Sequence, residues 1–344
     1  MIISISYLDC QSSPQRSIPT NQPSRTTYPD LLKNPARHTQ NSVKIMGSQD
    51  FITWHPADLF SDNPTDHKEL ALVVLNQPLE LSSSIYKKLW DNAVYHIAAD
   101  GGANQVYDKN HKTSFNGDSL DPVIQDEKKA KNYLDIDTII GDFDSMSSNL
   151  FKYFEDNGTE IIKDGDQYST DFTKAVRYIK TFEQPDESER TLPCPHRQKR
   201  LEQIKQLPRP LDIICLGGLG GRVDQALSQL HHLYMFQREP NYSKGKMYLV
   251  SSEAITFVLK AGKHRIKIKE EGRLLKLGKH IGILPVKEPS VITTQGLEWD
   301  VTDWKTEFGG DMSTSNHARE DWAIIETTKD VIFTIDFVLN QVDG

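Results

Sequence analysis

Cysteine is scarce. Cys10, Cys194 and Cys215 are odd in number and widely spaced, which excludes a disulfide framework and a paired-cysteine zinc site and suits a reducing compartment. Long apolar runs are also missing. Nothing approaches the roughly 18 residues that a spanning helix needs, and residues 1–20 lack the apolar core of a secretory signal peptide. The expectation is therefore a cytoplasmic protein with no membrane partner. With a formal net charge of −8 and no Lys/Arg block or aromatic-interleaved basic patch, nucleic acid is not an expected partner either. A cationic or metal-bridged small ligand fits better. There is no Gly-x-x-x-x-Gly-Lys-Ser/Thr spacing and no Gly-x-Gly-x-x-Gly, so neither a P-loop nor a dinucleotide fingerprint is present. No repeat of solenoid period is visible.

What is there is an ordinary globular composition, 37% apolar and 26% charged over 344 residues, long enough for two domains. Residues 1–50 are rich in Ser, Pro, Thr, Asn and Gln. Such a segment buries too little apolar surface to offset its chain entropy, so a disordered tail is expected. From 51 to 240 apolar runs (71–75, 94–99, 138–140, 160–162 and 211–216) alternate with helix-like stretches. That is the pattern of a parallel sheet covered on both faces. The charged, Pro-containing stretch 184–210 reads as a surface insertion. Over 241–344 the helical period fades, and runs at 246–250, 254–259, 264–268, 282–286, 290–294, 322–327 and 331–337 predict an antiparallel β-sandwich. The fold class is thus α/β, a Rossmann-like parallel-sheet domain followed by an antiparallel β-sandwich domain.

The apolar runs of the first part end in polar, Gly-rich or acidic sequence, and ligands of open α/β sheets bind at the carboxyl ends of strands. Asp100 precedes Gly101-Gly102, where missing side chains let backbone approach a phosphate. In Gly141-Asp142-Phe143-Asp144-Ser145 the two carboxylates, one residue apart, can share a metal; the alternative is a solvated turn. Thr170-Asp171 opens a predicted helix over 172–182, where capping alone would choose the same residue types; Gln167 and Ser169 just upstream are polar groups that capping does not require. The run 217–225 holds four glycines, including Gly218 and Gly221, then Arg222 and Asp224, before a helix over 226–236. Backbone N–H groups and Arg222 suit phosphate; otherwise Arg222 and Asp224 pair with each other. Four carboxylates without a His or Cys set suit Mg²⁺ better than zinc.

Taken in order, Leu75-Asn76-Gln77-Pro78-Leu79, Ala99-Asp100-Gly101-Gly102-Ala103-Asn104, Gly141-Asp142-Phe143-Asp144-Ser145, Thr170-Asp171-Phe172-Thr173-Lys174, Leu216–Gln225, Gly296-Leu297-Glu298-Trp299-Asp300 and Ser313-Thr314-Ser315-Asn316 resemble the thiamine pyrophosphokinases. The resemblance implies transfer of the pyrophosphoryl group of ATP to thiamine, with ATP as co-substrate, Mg²⁺ as cofactor, and a homodimer whose site lies between subunits. It implies metal and phosphate-site roles for Asp100, Asp142, Asp144 and Asp171, with Gln167 and Thr170 lining that site. Gly218, Gly221, Arg222 and Asp224 would face the nucleotide. Catalysis would fall to Asp171, Asp100 and Arg222. Ser313, Ser315 and Asn316 of the partner chain would contact thiamine, and Trp299 would form a wall for the thiazolium or else fill the core. Tyr168 stands where that family commonly has a further acid. A haloacid-dehalogenase-like phosphohydrolase with Asp142 as nucleophile is the rival reading.

Overall fold

The computed structural model describes residues 51–61, 70–112, 134–181, 211–238, 245–270 and 275–339. The expected tail at 1–50 and insertion at 184–210 lie outside the described residues. The chain first forms a short strand, β1 (Ile52–Trp54), and a 3-10 turn, Pro56–Phe60. Strands β2 (Leu70–Val74), β3 (Ala93–Ala99), β4 (Thr138–Gly141), β5 (Glu160–Lys163) and β6 (Asp212–Leu216) then alternate with helices α1 (Ser83–Asn92), α2 (Gly102–Lys112), α3 (Leu150–Asp156), α4 (Asp171–Thr181) and α5 (Val223–Arg238). All five strands pair parallel with their neighbours.

Both faces of this sheet are covered, which is why β2 and β6 bury every residue. Along β2 the side chains alternate between two layers. Leu70, Leu72 and Val74 join the cluster that holds Leu89, Ala103 and Val106 of α1 and α2. Ala71 and Val73 join the one that holds Val176 and Ile179 of α4 and Leu233 and Phe236 of α5.

The carboxyl-terminal part supplies β7 (Met247–Val250), β8 (Ala254–Leu259), β9 (Gly262–Lys267), β10 (Leu275–Leu284), β11 (Ser290–Gln295), β12 (Trp304–Thr306), β13 (Ser313–His317), β14 (Trp322–Thr327) and β15 (Val331–Leu339). Strand β7 pairs parallel with β6, because the crossover through α5 returns the chain in the same direction. The first of the seven runs expected in the sandwich thus completes the parallel half instead. Antiparallel pairing then carries the same sheet onward through β8, β15, β10 and β13, in the ten-strand order β13-β10-β15-β8-β7-β6-β2-β3-β4-β5. A second sheet of five strands has the order β1-β9-β14-β11-β12. The indole of Trp54 stacks on Phe257 at 4.4 Å between ring centres and donates to His264 Nδ1 at 3.0 Å. Residues of both sheets share one apolar cluster around it, so the antiparallel end of the large sheet and the small sheet form a sandwich.

Candidate active site

The segments that follow β2 and β3, the loop after β4, the start of α4, and α5 with Arg222 just before it surround a cleft of about 450 Å³. Asp100 ends β3 in a left-handed backbone conformation, φ 41°, which Asp tolerates better than most residues. Its carboxylate is buried and accepts from Ser145 N at 3.1 Å through Oδ2 and from Met146 N at 3.0 Å through Oδ1. Burial raises its pKa to about 6 against the opposing Ser145 N–H bond, with Asp171 and Asp144 nearby adding repulsion. Asp142 accepts from Gln167 Nε2 at 3.0 Å and from Asp144 N at 3.3 Å, and the Gln167 bond leads in holding its pKa below the ordinary value. Phe143, at φ 67°, turns the chain between the two acids.

Asp171 is the first residue of α4. Burial raises its pKa although Lys174 Nζ donates to Oδ1 at 2.9 Å. The Lys174 side chain is itself buried; burial is the largest influence and opposes its charge, but the bond to Asp171 together with the charges of Asp171, Asp142 and Asp164 outweighs it and raises its pKa. One carboxylate oxygen each from Asp100, Asp142 and Asp171 lies within 4.8 Å of the others. Three hard oxygen donors with like charge fit a small divalent cation such as Mg²⁺, which would relieve the repulsion that Asp171 adds to the burial cost of ionising Asp100. Asp144 is not in that group; its Oδ1 accepts from Ser145 Oγ at 2.8 Å. Tyr168 points into solvent, 93% exposed, with only its backbone N–H bonded to Asp166.

Thr170 caps α4, since Thr173 N donates to its hydroxyl oxygen at 3.1 Å. Along the glycine loop Gly217, Leu219 and Gly221 all have positive φ, 77°, 59° and 70°. Gly218 packs so closely that an added Cβ would meet Gln229 Oε1 and Leu249 at 3.3 Å. Arg222, exposed at the cleft, donates through Nε and Nη2 to both oxygens of Asp224. His232 and Gln229 of α5 also line the cleft. In the sequence both are hidden within a helix marked by its apolar residues; the available signal is two polar residues three apart on its buried face.

The second group of expected residues lies elsewhere. Asn316 is buried, donates to Trp299 O at 2.9 Å and accepts from Trp299 N at 3.2 Å. This clamp presents the Trp299 indole, 57% exposed, against the ring of His317 at 5.1 Å, so Trp299 is not a core residue. Ser313 and Asn316 pair with β10, and Ser315 has φ 53°. Strand β13 is seven places from β3 in the ten-strand order, roughly 34 Å at ~4.8 Å per strand. One chain therefore does not bring Ser313, Ser315, Asn316 and Trp299 to its own carboxylates.

The family model for the thiamin pyrophosphokinase catalytic domain matches residues 86–243, and that for the thiamin pyrophosphokinase vitamin B1 binding domain matches 263–332. Thiamine pyrophosphokinase 1 of Arabidopsis thaliana is 31% identical over 277 residues, covering 80% of this chain and 88% of the relative. Thiamine pyrophosphokinase of Saccharomyces cerevisiae is 29% identical over 300 residues, covering 81% and 89%. Among solved structures, yeast thiamin pyrophosphokinase superposes with a TM-score of 0.67 at 26% identity, covering 84% of this chain and 92% of that one. The Candida albicans thiamin pyrophosphokinase shares the fold, with a TM-score of 0.64 at 23% identity over 86% and 95%.

Proposed function

The chain belongs to the thiamine pyrophosphokinase family, and we propose on that footing that it is a thiamine diphosphokinase, transferring the pyrophosphoryl group of ATP to the hydroxyl of thiamine and releasing AMP. The observation that carries the mechanism is the convergence of Asp100, Asp142 and Asp171 at a cleft that Asp100, Asp171 and Arg222 line. These three carboxylates would hold Mg²⁺, and a bound Mg²⁺ supplies charge neutralisation for the polyphosphate oxygens. Lys174 keeps Asp171 oriented through the 2.9 Å bond. Arg222 spends Nε and Nη2 on Asp224, which leaves Nη1 to reach phosphate oxygens. In the transfer the thiamine hydroxyl oxygen bonds to the β-phosphorus as the bridging oxygen leaves with AMP. We assign the hydroxyl proton to Asp171, which accepts one N–H bond, at Oδ1 from Lys174, where Asp100 accepts two, so that Asp171 keeps a lone pair for the proton beside one for Mg²⁺.

The division of labour runs at about residue 240, with ATP and metal on 51–240 and thiamine on 241–344; among the described residues of 51–240, β1 alone pairs into the second sheet. Seven strand places separate the two groups of residues, so we propose a homodimer in which Ser313, Ser315, Asn316 and Trp299 of one copy complete the cleft of the other. Trp299, exposed and clamped, offers its face to a thiazolium cation. Among the described residues no helix is long and apolar enough to cross a membrane, and the cytoplasm, whose reducing conditions suit the buried free thiol of Cys215, is the proposed location. The phosphohydrolase alternative has no support among the relatives and leaves the vitamin B1 binding domain match unexplained. The test is AMP formation from ATP and Mg²⁺ with and without thiamine: AMP should appear only with thiamine, and thiamine-independent phosphate release would overturn the reading.

A further inference from the structure

Two polar side chains of α5 remain without a role in that mechanism. Gln229 and His232 are three residues apart and so share one helix face; both are buried and both line the cleft. Gln229 Oε1 accepts from Leu219 N at 2.5 Å, in the middle of the glycine loop, where Leu219 is held at a positive φ that a leucine rarely adopts. His232 reaches the other wall. Its Nδ1 lies against Ser228 O; a carbonyl only accepts, so Nδ1 carries the proton and Nε2 is an acceptor. Nε2 faces the hydroxyls of Thr170 at 2.8 Å and Thr173 at 3.0 Å. With one lone pair on Nε2, one of these two hydroxyls donates to His232; the shorter contact is to Thr170, whose oxygen also caps α4 through Thr173 N, one residue before Asp171. Burial lowers the His232 pKa to about 4, which keeps Nε2 an acceptor at neutral pH, and Phe172 at 4.8 Å and Phe236 at 5.7 Å between ring centres confine the imidazole.

We propose that α5 is a positioning strut for the transfer, with Gln229 fixing the glycine loop and His232, through its accepting Nε2, fixing the start of α4 that carries Asp171. The two walls of the cleft are thereby tied to one rigid helix at a set spacing, a tolerance that positioning-dominated catalysis requires. This rests on the thiamine diphosphokinase reading for its kinetic arm only.

The test compares His232→Gln, His232→Asn and Gln229→Ala with the wild-type chain, using thermal melts to establish folding. A glutamine oxygen can occupy the Nε2 position as an acceptor, whereas asparagine keeps only the donor to Ser228 O. His232→Asn is expected to lower kcat at least tenfold with KM for thiamine within threefold, and His232→Gln to recover kcat to within threefold of wild type. Gln229→Ala is expected to weaken binding of Mg²⁺·ATP about fivefold by calorimetry. Equal impairment of His232→Gln and His232→Asn, or a wild-type kcat in His232→Asn, would overturn the His232 assignment; unchanged ATP affinity in folded Gln229→Ala would overturn that of Gln229. If wild type released no AMP with thiamine, the functional reading would fail, while the calorimetric arm would still decide the Gln229 half of the strut.

Discussion

Asp100 sits almost wholly buried, its two oxygens bonded to the backbone of 145–146 and its backbone twisted to a positive φ. Such a carboxyl keeps its proton to about pH 6, because burial disfavours its charge and Asp171 and Asp144 add to the cost. A metal ion competes with that proton. Mg²⁺ affinity should therefore rise as pH climbs through 6 and level off above it, falling about tenfold per unit below it; calorimetric titrations between pH 5 and 8 check this, and a flat profile would remove Asp100 from the metal site. The neighbouring Gly141 serves the same carboxylate, since an added Cβ would stand 2.7 Å from Asp100 Cβ. At this scale the aspartates were readable from their places after apolar runs. Their convergence was not, because it depends on which strand ends are neighbours: Asp100, Asp142 and Asp171 meet, while Asp144 bonds Ser145 and lies near Asp100. His232 and Gln229 escaped because a buried polar residue on an apolar helix has no local signature until its partners on other elements are known.

Elements were more legible than contacts. Strands β8 and β14 coincide with expected runs, and α4 is offset from its expected span by one residue, because apolar periodicity reports burial directly. Strands β12 and β13 went unseen, being short and polar: an edge strand such as β13 needs little apolar sequence, since only one side of it is paired. The first turn of α2 lies so close to β2 that an added Cβ on Gly102 would collide with the carbonyl oxygen of Val74. Gly102→Ala should accordingly destabilise the fold by about 2 kcal/mol, within the usual range for overpacking. Urea denaturation checks it; an unchanged midpoint would show that α2 moves aside freely.

For the whole molecule the decisive relation is the distance between the carboxylates and Trp299, set by seven strand places in one continuous sheet. That continuity was not readable from the sequence, where the fading of the helical period at about 240 marks a boundary that the hydrogen-bonded ladder crosses from β7 to β8. If the site forms between copies, inactive Asp142→Asn and inactive Ser313→Arg chains should complement when mixed, since hybrid dimers contain one intact cleft. Random exchange would restore about a quarter of wild-type activity; no restoration, with subunit exchange verified, would place the whole site within one chain. The central claim is that two phosphoryl groups move together from ATP to thiamine. Phosphorus NMR of the reaction products tests it most directly: one thiamine diphosphate for each AMP, without ADP, is the predicted result, and thiamine monophosphate with ADP, or orthophosphate without thiamine diphosphate, would contradict it.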